Sequence, residues 1–255
     1  MIFTEERRIY MIRTIAIITF IFLFLVCSLP VLLIFKLLYS KYPDRIDRMS
    51  LAIVQWALHV CVILAGTELI ILGKENIPKD KAVLYVGNHT SFFDIIINYT
   101  IVPTLTGFVS KKSIKKFPIL NFWMNRVHCL FLDRENVKEG LKTILAAIEQ
   151  VKSGISIFIF PEGTRNKVPG TFLEFKGGSF KIAEKSGCPI IPVTAVNMSD
   201  IFEDHLPRVK KTRVVIEYGA PIDMNALDKE EKKHINTYVQ NVIMETYQRN
   251  KEAYF

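Results

Sequence analysis

The stretch GNHTSFFD, residues 87–94, places a histidine and an aspartate five positions apart, directly after the apolar run AVLYV. A histidine can take a proton from a hydroxyl group, and a carboxylate beside it can fix the imidazole tautomer and stabilise the imidazolium. His89 and Asp94 are therefore candidates for a general base and its orienting partner. The alternative is structural, because Ser91 and Asp94 have the spacing of a helix capping box. That alternative accounts for Asp94 and leaves His89 unexplained.

A second candidate stretch, FPEGTR at residues 160–165, follows the apolar run SIFI. Pro161 and Gly163 predict a tight turn that presents the charges of Glu162 and Arg165. An arginine in this place can bind a phosphate group through two parallel hydrogen bonds. Glu162 can either position Arg165 or bind a substrate hydroxyl group. A polar turn with an incidental ion pair is the structural alternative.

Further basic residues follow two other apolar stretches. Residues 110–123, SKKSIKKFPILNFW, interleave four lysines with bulky apolar side chains. Such a composition is typical either of a solvated surface or of an interface with an anionic membrane. Lys112 or a neighbouring lysine is the candidate there for attracting an anionic substrate. FLDR places Arg134 after another apolar run, and a second arginine at a strand end favours a substrate that carries phosphate.

The elements that carry these residues alternate between two patterns. From about Gly66 onward, five short runs rich in β-branched or aromatic residues predict strands: ELIIL, AVLYV, SIFIF, PIIPVTAV and RVVIEY. Residues 137–152, 177–185 and 229–250 predict helices. We therefore expect an α/β domain with a central mixed sheet flanked by helices. Both candidate stretches follow strands, where ligands of α/β sheets usually bind.

The N-terminal part has a different composition. Residues 14–35 form a run of 22 residues without a charged side chain, long enough to cross a hydrocarbon core of about 30 Å as a helix. A second charge-free run, residues 50–67, contains Gln55 and His59. We expect a two-helix hydrophobic membrane segment in residues 1–65 and a catalytic domain in residues 66–255.

Basic residues on both sides of the first run bear on how it meets the membrane. Three arginines precede it and four Lys or Arg residues follow it, so a full span would place one basic flank outside, against the positive-inside tendency. Pro30 also interrupts the helical hydrogen-bond ladder. We prefer a hairpin that enters one leaflet and returns, and two full spans remain the alternative.

The overall composition narrows the classes of partner. Lys and Arg number 33 against 25 Asp and Glu, a formal net charge of +8, and half of the residues are hydrophobic. A basic, apolar chain suits an anionic membrane. No nucleic-acid recognition motif is present, so a nucleic-acid partner is not expected. The four cysteines are scattered and predict neither a disulfide framework nor a zinc site. His89 and Asp94 lack a third ligand, so we expect no metal.

Four sequence blocks, taken in order, carry a family resemblance. NHTSFFD fits an H-x-x-x-x-D signature, FLDR a second block that ends in arginine, FPEGTR a third, and PIIPVTA with Pro192 a fourth. Over roughly residues 68–221 the chain resembles the 1-acyl-sn-glycerol-3-phosphate acyltransferases of the glycerolipid acyltransferase superfamily. The second block of that family usually has glycine six residues before its arginine, where this chain has His128. Because of this difference, His128 can alter the pocket for the acceptor.

The resemblance implies transfer of a fatty acyl chain from acyl-CoA or an acyl carrier protein to the sn-2 hydroxyl of lysophosphatidic acid. It implies that His89 is the general base and Asp94 its orienting residue, with a substrate-binding set around them. That set comprises Lys112, Arg134, Glu162, Gly163, Thr164 and Arg165. No cofactor is implied besides the thioester co-substrate. From the chemistry we expect backbone N–H groups near the histidine turn to stabilise the oxyanion, and no covalent acyl-enzyme.

The resemblance and the hydrophobic segment together imply a membrane-associated enzyme whose catalytic domain lies on the cytoplasmic face, in contact with anionic lipids. Three alternatives remain. The acceptor can be glycerol-3-phosphate or another lysolipid. The protein can bind anionic lipid without catalysis, although the intact His89 and Asp94 argue against this. A nucleic-acid binder is the third.

Overall fold

Three helices precede the sheet in the computed structural model, which describes residues 2–168 and 170–255, with side chains from residue 7 onward. They are α1 (Ile2–Cys27), α2 (Leu29–Leu38) and α3 (Pro43–Ala65). The long charge-free run is divided at Ser28, whose hydroxyl donates a hydrogen bond to the carbonyl of Leu25. Pro30 follows in the first turn of α2, where its missing N–H is tolerated. The expected interruption at Pro30 is therefore present as a junction between two helices.

The seven strands form one mixed sheet, which confirms the expected fold class. They are β1 (Glu68–Leu72), β2 (Leu84–Gly87), β3 (Thr106–Lys111), β4 (Leu130–Leu132), β5 (Ser156–Ile159), β6 (Ile190–Val196) and β7 (Arg213–Tyr218). Their spatial order is β1-β7-β6-β2-β5-β3-β4. From β6 to β4 all neighbours are parallel, whereas β7 is antiparallel to β6 and parallel to β1.

Six further helices flank the sheet in the part of the chain that the structure describes. They are α4 (Phe93–Ile101), α5 (Pro118–Arg126), α6 (Val137–Lys152), α7 (Lys181–Ser186), α8 (Lys229–Lys233) and α9 (Ile235–Tyr254). One hydrophobic core joins α1, α3 and α4 to one face of the sheet through residues such as Tyr85 and Phe158. A second core joins α6, α7 and α9 to the other face through Leu84 and Ile157. Alternate residues of β2 and β5 thus serve opposite faces, as the strand period requires.

Several sequence expectations require correction. The five expected strands are present, and the structure adds two: β3, whose stretch TGFVSK contains glycine and lysine, and β4, which has only three residues. The expected helix 177–185 begins with a 3₁₀ turn, Gly177–Phe180, since two glycines disfavour an α-helical start. The expected helix 229–250 is two helices separated at His234, and the second continues to Tyr254.

The topology brings the candidate residues to one edge of the sheet. Strands β4, β3, β5, β2 and β6 are parallel, so their carboxyl ends share that edge. The turns that follow β2 and β5 carry His89 and Arg165, and those that follow β3 and β4 carry Lys112 and Arg134. The loop after β6 ends at the same edge, and it carries Glu203, which lies outside the four sequence blocks.

Candidate active site

His89 and Asp94 are in direct contact at the start of α4. The Nδ1 atom of His89 lies 2.8 Å from Oδ2 of Asp94. Asp94 is buried in the first turn of α4, whereas 12% of the imidazole side chain remains exposed. The ring stacks on Phe160 with a centroid separation of 4.2 Å. The carboxylate therefore assigns the proton to Nδ1, and Nε2 is left with a free lone pair to accept another.

The same carboxylate oxygen also holds the turn that precedes α4. Oδ2 of Asp94 accepts hydrogen bonds from the N–H groups of Thr90, at 2.7 Å, and Ser91, at 2.8 Å. The hydroxyl oxygen of Ser91 accepts one in return from the N–H of Phe93. One half of the predicted capping box is therefore present, the hydrogen bond from Ser91 N–H to Asp94, and the same oxygen also contacts the imidazole.

The expected oxyanion donors in the histidine turn are already occupied. The N–H groups of Thr90, Ser91 and Phe93 are bonded as described above, and that of His89 donates to Oε1 of Glu162 at 2.8 Å. The N–H of Phe92 donates to a carboxylate as well. Every N–H from His89 to Phe93 therefore has a side-chain acceptor, so oxyanion donors near this turn would have to come from outside these five residues.

Glu162 has a structural position rather than the expected contact with Arg165. The residue is 4% exposed, and its carboxylate accepts hydrogen bonds from the N–H groups of His89 and Leu173. Burial raises the pKa of Glu162 above its usual range, and these two backbone hydrogen bonds partly offset that rise. Glu162 therefore holds the turn after β5 against the turn after β2. The N–H of Asn166, which donates to the carbonyl of His89, adds a second connection.

Gly163 and Thr164 form the tip of the FPEGTR turn. Gly163 has a φ of +71°, in the left-handed region that glycine adopts without a steric penalty. Thr164 is exposed. The turn thus requires glycine for its backbone and leaves Thr164 open to a ligand.

Arg165 is held by two contacts. Its Nη1 donates to Oε1 of Glu203 at 2.7 Å, and its guanidinium lies 3.7 Å from the centroid of the Phe92 ring. Glu203 belongs to a 3₁₀ turn in the loop after β6, Glu203–His205. Sequence reasoning missed Glu203, since no local pattern connects it to either motif.

Lys112 and Arg134 lie further along the same edge, after β3 and β4. Lys112 forms an ion pair with Asp133, with 2.9 Å between Nζ and Oδ2. This hydrogen bond raises the pKa of Lys112 and lowers that of Asp133. Arg134 is exposed. Within the described residues no hydrogen bond or ion pair joins Lys112 or Arg134 to His89, and what the structure shows is that both follow strands that end at the same edge of the sheet.

His128 stands where the family usually has glycine, and its backbone adopts a conformation that glycine favours. Its φ is +59°, the left-handed conformation that a glycine supplies most easily. The imidazole Nε2 lies 2.8 Å from Oδ2 of Asp47 in α3. The side chain is therefore engaged with the N-terminal helices, and its contact is with α3 rather than with the Arg165 site.

An apolar cavity of about 480 Å³ adjoins the site. Helices α1, α3 and α4 supply much of its lining, and Phe92, Phe93 and Phe202 bring it to the histidine turn and to the loop after β6. Phe92 both lines the cavity and underlies the guanidinium of Arg165. Among the residues that the structure describes, no group of three or more His, Cys, Asp or Glu side chains is arranged to hold a metal ion.

Comparison with known proteins identifies the family. A model of the acyltransferase family matches residues 68–196, from β1 to the end of β6. The chain belongs to the acyltransferase family. The resemblance inferred from the four blocks is thereby confirmed, and all four lie within the matched region. Glu203 lies seven positions beyond it.

Several curated relatives of this acyltransferase carry one name, 1-acyl-sn-glycerol-3-phosphate acyltransferase. The protein from Borreliella burgdorferi is 31% identical over 198 residues, which cover 77% of this chain and 78% of the relative. The Saccharomyces cerevisiae protein is 30% identical over 190 residues, 74% of this chain and 62% of the relative. The Haemophilus influenzae protein is 31% identical over 176 residues, 67% and 72% of the two chains.

One solved structure supports the fold of the acyltransferase. The crystal structure of the 1-acyl-sn-glycerophosphate (LPA) acyltransferase PlsC from Thermotoga maritima superposes with a TM-score of 0.81. The alignment covers 95% of this chain and 96% of that chain, at 24% identity. The likeness extends over the N-terminal helices as well as the sheet.

Proposed function

We propose that this acyltransferase moves a fatty acyl chain from an acyl thioester to the sn-2 hydroxyl of lysophosphatidic acid and forms phosphatidic acid. One arrangement carries the proposal: Phe92, which lies in the turn of the His89–Asp94 pair, stacks against Arg165 and also lines an apolar cavity. The pair can activate a hydroxyl group, the arginine can bind a phosphate, and the cavity can hold an acyl chain. The names of the relatives designate the same acceptor.

Proton transfer follows from the geometry of the pair. Nε2 of His89 takes the proton from the acceptor hydroxyl as its oxygen attacks the thioester carbon, and Asp94 stabilises the imidazolium. The carbon–sulfur bond then breaks, and the proton passes to the leaving thiolate. General-base assistance of this kind is worth about 10² to 10⁴ in rate. The reaction needs no covalent acyl-enzyme and no metal.

Two arginines are proposed to bind the acceptor phosphate. Arg165 uses Nη1 for Glu203, which leaves its remaining guanidinium donors for a phosphate oxygen. Arg134 follows β4, two strands from β5, and neighbouring strands lie about 4.8 Å apart. Both side chains can therefore approach one headgroup from different sides. Lys112, next to Arg134 across β3 and β4, adds positive charge along the same edge.

The cavity is proposed to hold the fatty acyl chain. Its volume of about 480 Å³ lies within the usual range for ligand pockets, about 300–1,000 Å³. Its walls are almost wholly apolar, and α1 and α3 form one side of it. A lipid tail can thus pass from the apolar surface of these helices to the histidine site without crossing water.

Residues 1–65 are proposed to attach the catalytic domain, residues 66–255, to the cytoplasmic face of a membrane. Helices α1 and α3 are long and apolar enough to cross a bilayer. The exposed fraction is 62% for Ile18, 64% for Phe22 and 70% for Leu37. A surface of this kind is stable against lipid rather than water.

A hairpin that enters one leaflet is favoured over two full spans. Leu51, Cys61 and Val62 of α3 are buried in the core that also contains the sheet. The hydroxyl of Thr14 in α1 accepts a hydrogen bond from the N–H of Val209, in the loop after β6. A helix with one side packed against the catalytic domain cannot also be surrounded by lipid on all sides.

Thiol release from a long-chain acyl-CoA in detergent micelles tests the proposed reaction. The assay compares reactions with and without lysophosphatidic acid for wild type, His89→Ala and the matched control His234→Ala. His234 is an exposed histidine between α8 and α9. We expect acceptor-dependent release in wild type and the control, with a loss of 10²-fold or more in His89→Ala.

The donor and the acceptor are varied in the same assay. If acyl-CoA is inactive, an acylated carrier protein replaces it, and release that needs lysophosphatidic acid then assigns the donor. Glycerol-3-phosphate and a lysophospholipid with a larger headgroup are compared as acceptors. Absence of acceptor-dependent release with both donors contradicts the proposed function and favours a lipid-binding role without turnover.

A further inference from the structure

Glu203 links the two motif turns through a single carboxylate. Oε1 accepts hydrogen bonds from the N–H of Phe92 at 2.8 Å and from Nη1 of Arg165 at 2.7 Å, and Oε2 accepts from the hydroxyl of Ser91 at 2.5 Å. Ser91 and Phe92 belong to the histidine turn, whereas Arg165 belongs to the FPEGTR turn. Only 16% of the Glu203 side chain is exposed. The carboxylate therefore fixes where Arg165 lies relative to the catalytic histidine.

We propose that Glu203 is a positioning residue, which orients the guanidinium of Arg165 for the acceptor phosphate and so sets the preference for a phosphorylated acceptor. This inference rests on the proposed function, because it assigns Arg165 to the acceptor. Glu203 acts through Arg165 and does not touch the reacting atoms. Neither motif contains it, and it lies outside the region matched by the family.

The contacts of Arg165 are those of an oriented side chain. The carboxylate holds one end of the guanidinium, and the Phe92 ring supports its face at 3.7 Å. A charge-assisted hydrogen bond and a stacked ring together restrict a side chain that would otherwise have many rotamers. Because only Nη1 is used, the remaining donors keep the planar fork that suits a phosphate.

The loop that carries Glu203 is itself fixed by ion pairs and hydrogen bonds. Oδ1 of Asp200 accepts a hydrogen bond from Nζ of Lys210 at 2.8 Å and lies 2.7 Å from Nε2 of His205. The hydroxyl of Ser199 donates to Asp204 at 2.8 Å. Neighbouring residues on both sides of Glu203 are thus anchored. Such support is what a preorganised site requires, since a loosely held carboxylate could not orient Arg165.

The test compares two acceptors that differ only by the phosphate, lysophosphatidic acid and the monoacylglycerol with the same chain. We measure kcat and KM for each acceptor in wild type, Glu203→Ala and Glu203→Gln. In Glu203→Ala we expect KM for lysophosphatidic acid to rise about tenfold or more, with rates on monoacylglycerol within about threefold of wild type. Glutamine keeps a carbonyl oxygen for Phe92 and Arg165, so Glu203→Gln should restore most of the preference.

An Arg165→Ala background shows whether Glu203 acts through the arginine. There, Glu203→Ala should leave KM for lysophosphatidic acid unchanged within about twofold, because the coupled partner is gone. A further tenfold loss in that background overturns the inference. An equal loss on both acceptors, or no recovery in Glu203→Gln, overturns it as well and assigns Glu203 a purely structural role. The melting temperature of each variant checks that it is folded.

Binding separates this inference from the proposed reaction. The affinities of the detergent-solubilised wild type and Glu203→Ala for the two lipids are measured without donor. If wild type binds lysophosphatidic acid preferentially and Glu203→Ala loses that preference, the role of Glu203 is supported. This holds even if wild type shows no turnover, because absent turnover contradicts only the proposed reaction. A preference that Glu203→Ala retains, or a wild type with no preference, overturns the inference.

Discussion

Oδ2 of Asp94 lies 2.8 Å from Nδ1 of His89 and accepts two backbone N–H groups at the same time. One atom therefore both contacts the proposed base and holds the turn that precedes α4. Roles that share an atom can be separated by a substitution that keeps the hydrogen-bond acceptor and removes the charge.

Asp94→Asn should stay folded and lose most of its activity. The amide oxygen can accept from Thr90 and Ser91, but a neutral side chain cannot stabilise the imidazolium. We expect acyl transfer to fall by about 10²- to 10⁴-fold. Asp94→Ala should also lose the acceptor for the N–H groups of Thr90 and Ser91 and destabilise the fold by about 1–3 kcal/mol more. Turnover and thermal unfolding of the two variants check this, and a near-normal rate in Asp94→Asn contradicts the orienting role.

Gly163→Ala should destabilise the FPEGTR turn through its backbone. A residue with a Cβ at a φ of +71° costs about 1–2 kcal/mol. The nearest atom to an added Cβ is the flexible Nζ of Lys176, so the strain arises from φ rather than from packing. Gly178→Ala is the matched control, since its φ is not positive and its Cβ would meet no atom within 4 Å. Denaturant unfolding should separate the two variants, and equal stabilities would contradict the explanation.

Glu162 should make the fold less stable as the pH rises. Burial raises its pKa above 4.5 in the folded state, so between 4.5 and the raised pKa the folded protein binds more protons than the unfolded chain. The free energy of unfolding contributed by Glu162 therefore falls as pH rises through that window. We expect the stability of wild type relative to Glu162→Gln to decrease from about pH 4 upward.

Unfolding measured at several pH values checks the prediction for Glu162. Glu174→Gln, at an exposed glutamate nearby, is the control and should follow wild type throughout. A relative stability that increases with pH would show instead that the two backbone hydrogen bonds outweigh burial.

Phe22→Asp should release the protein from membranes. Phe22 is 64% exposed on α1. Burying a phenylalanine side chain in lipid is worth about 1.5–3 kcal/mol, so loss of Phe22 should weaken partitioning into the membrane by roughly tenfold to a hundredfold. Val137→Asp is the control, because Val137 is also exposed but begins α6 on the opposite face of the sheet. Sedimentation with anionic lipid vesicles measures both. Equal losses in the two variants would place the membrane surface elsewhere.

The local part of the site follows from the amino-acid sequence by itself. His89 and Asp94 are five positions apart across a strand-to-helix turn, so chain geometry alone brings them within hydrogen-bond reach. Gly163 marks a left-handed turn because few other residues adopt that conformation easily. The alternation of short apolar runs and helical stretches likewise determined the α/β fold, since each run is long enough to express its own periodicity.

Only the tertiary structure decided what each charged side chain contacts. Glu162 is three positions from Arg165 yet bonds the N–H of His89, and Arg165 instead pairs with Glu203, 38 positions away. The acceptors for the N–H groups of His89 and Phe92, and the walls of the apolar cavity, likewise come from segments that are distant in sequence and meet only in the folded chain. Hydrogen bonds of this kind depend on distances between elements, and no periodicity or spacing within one element encodes them.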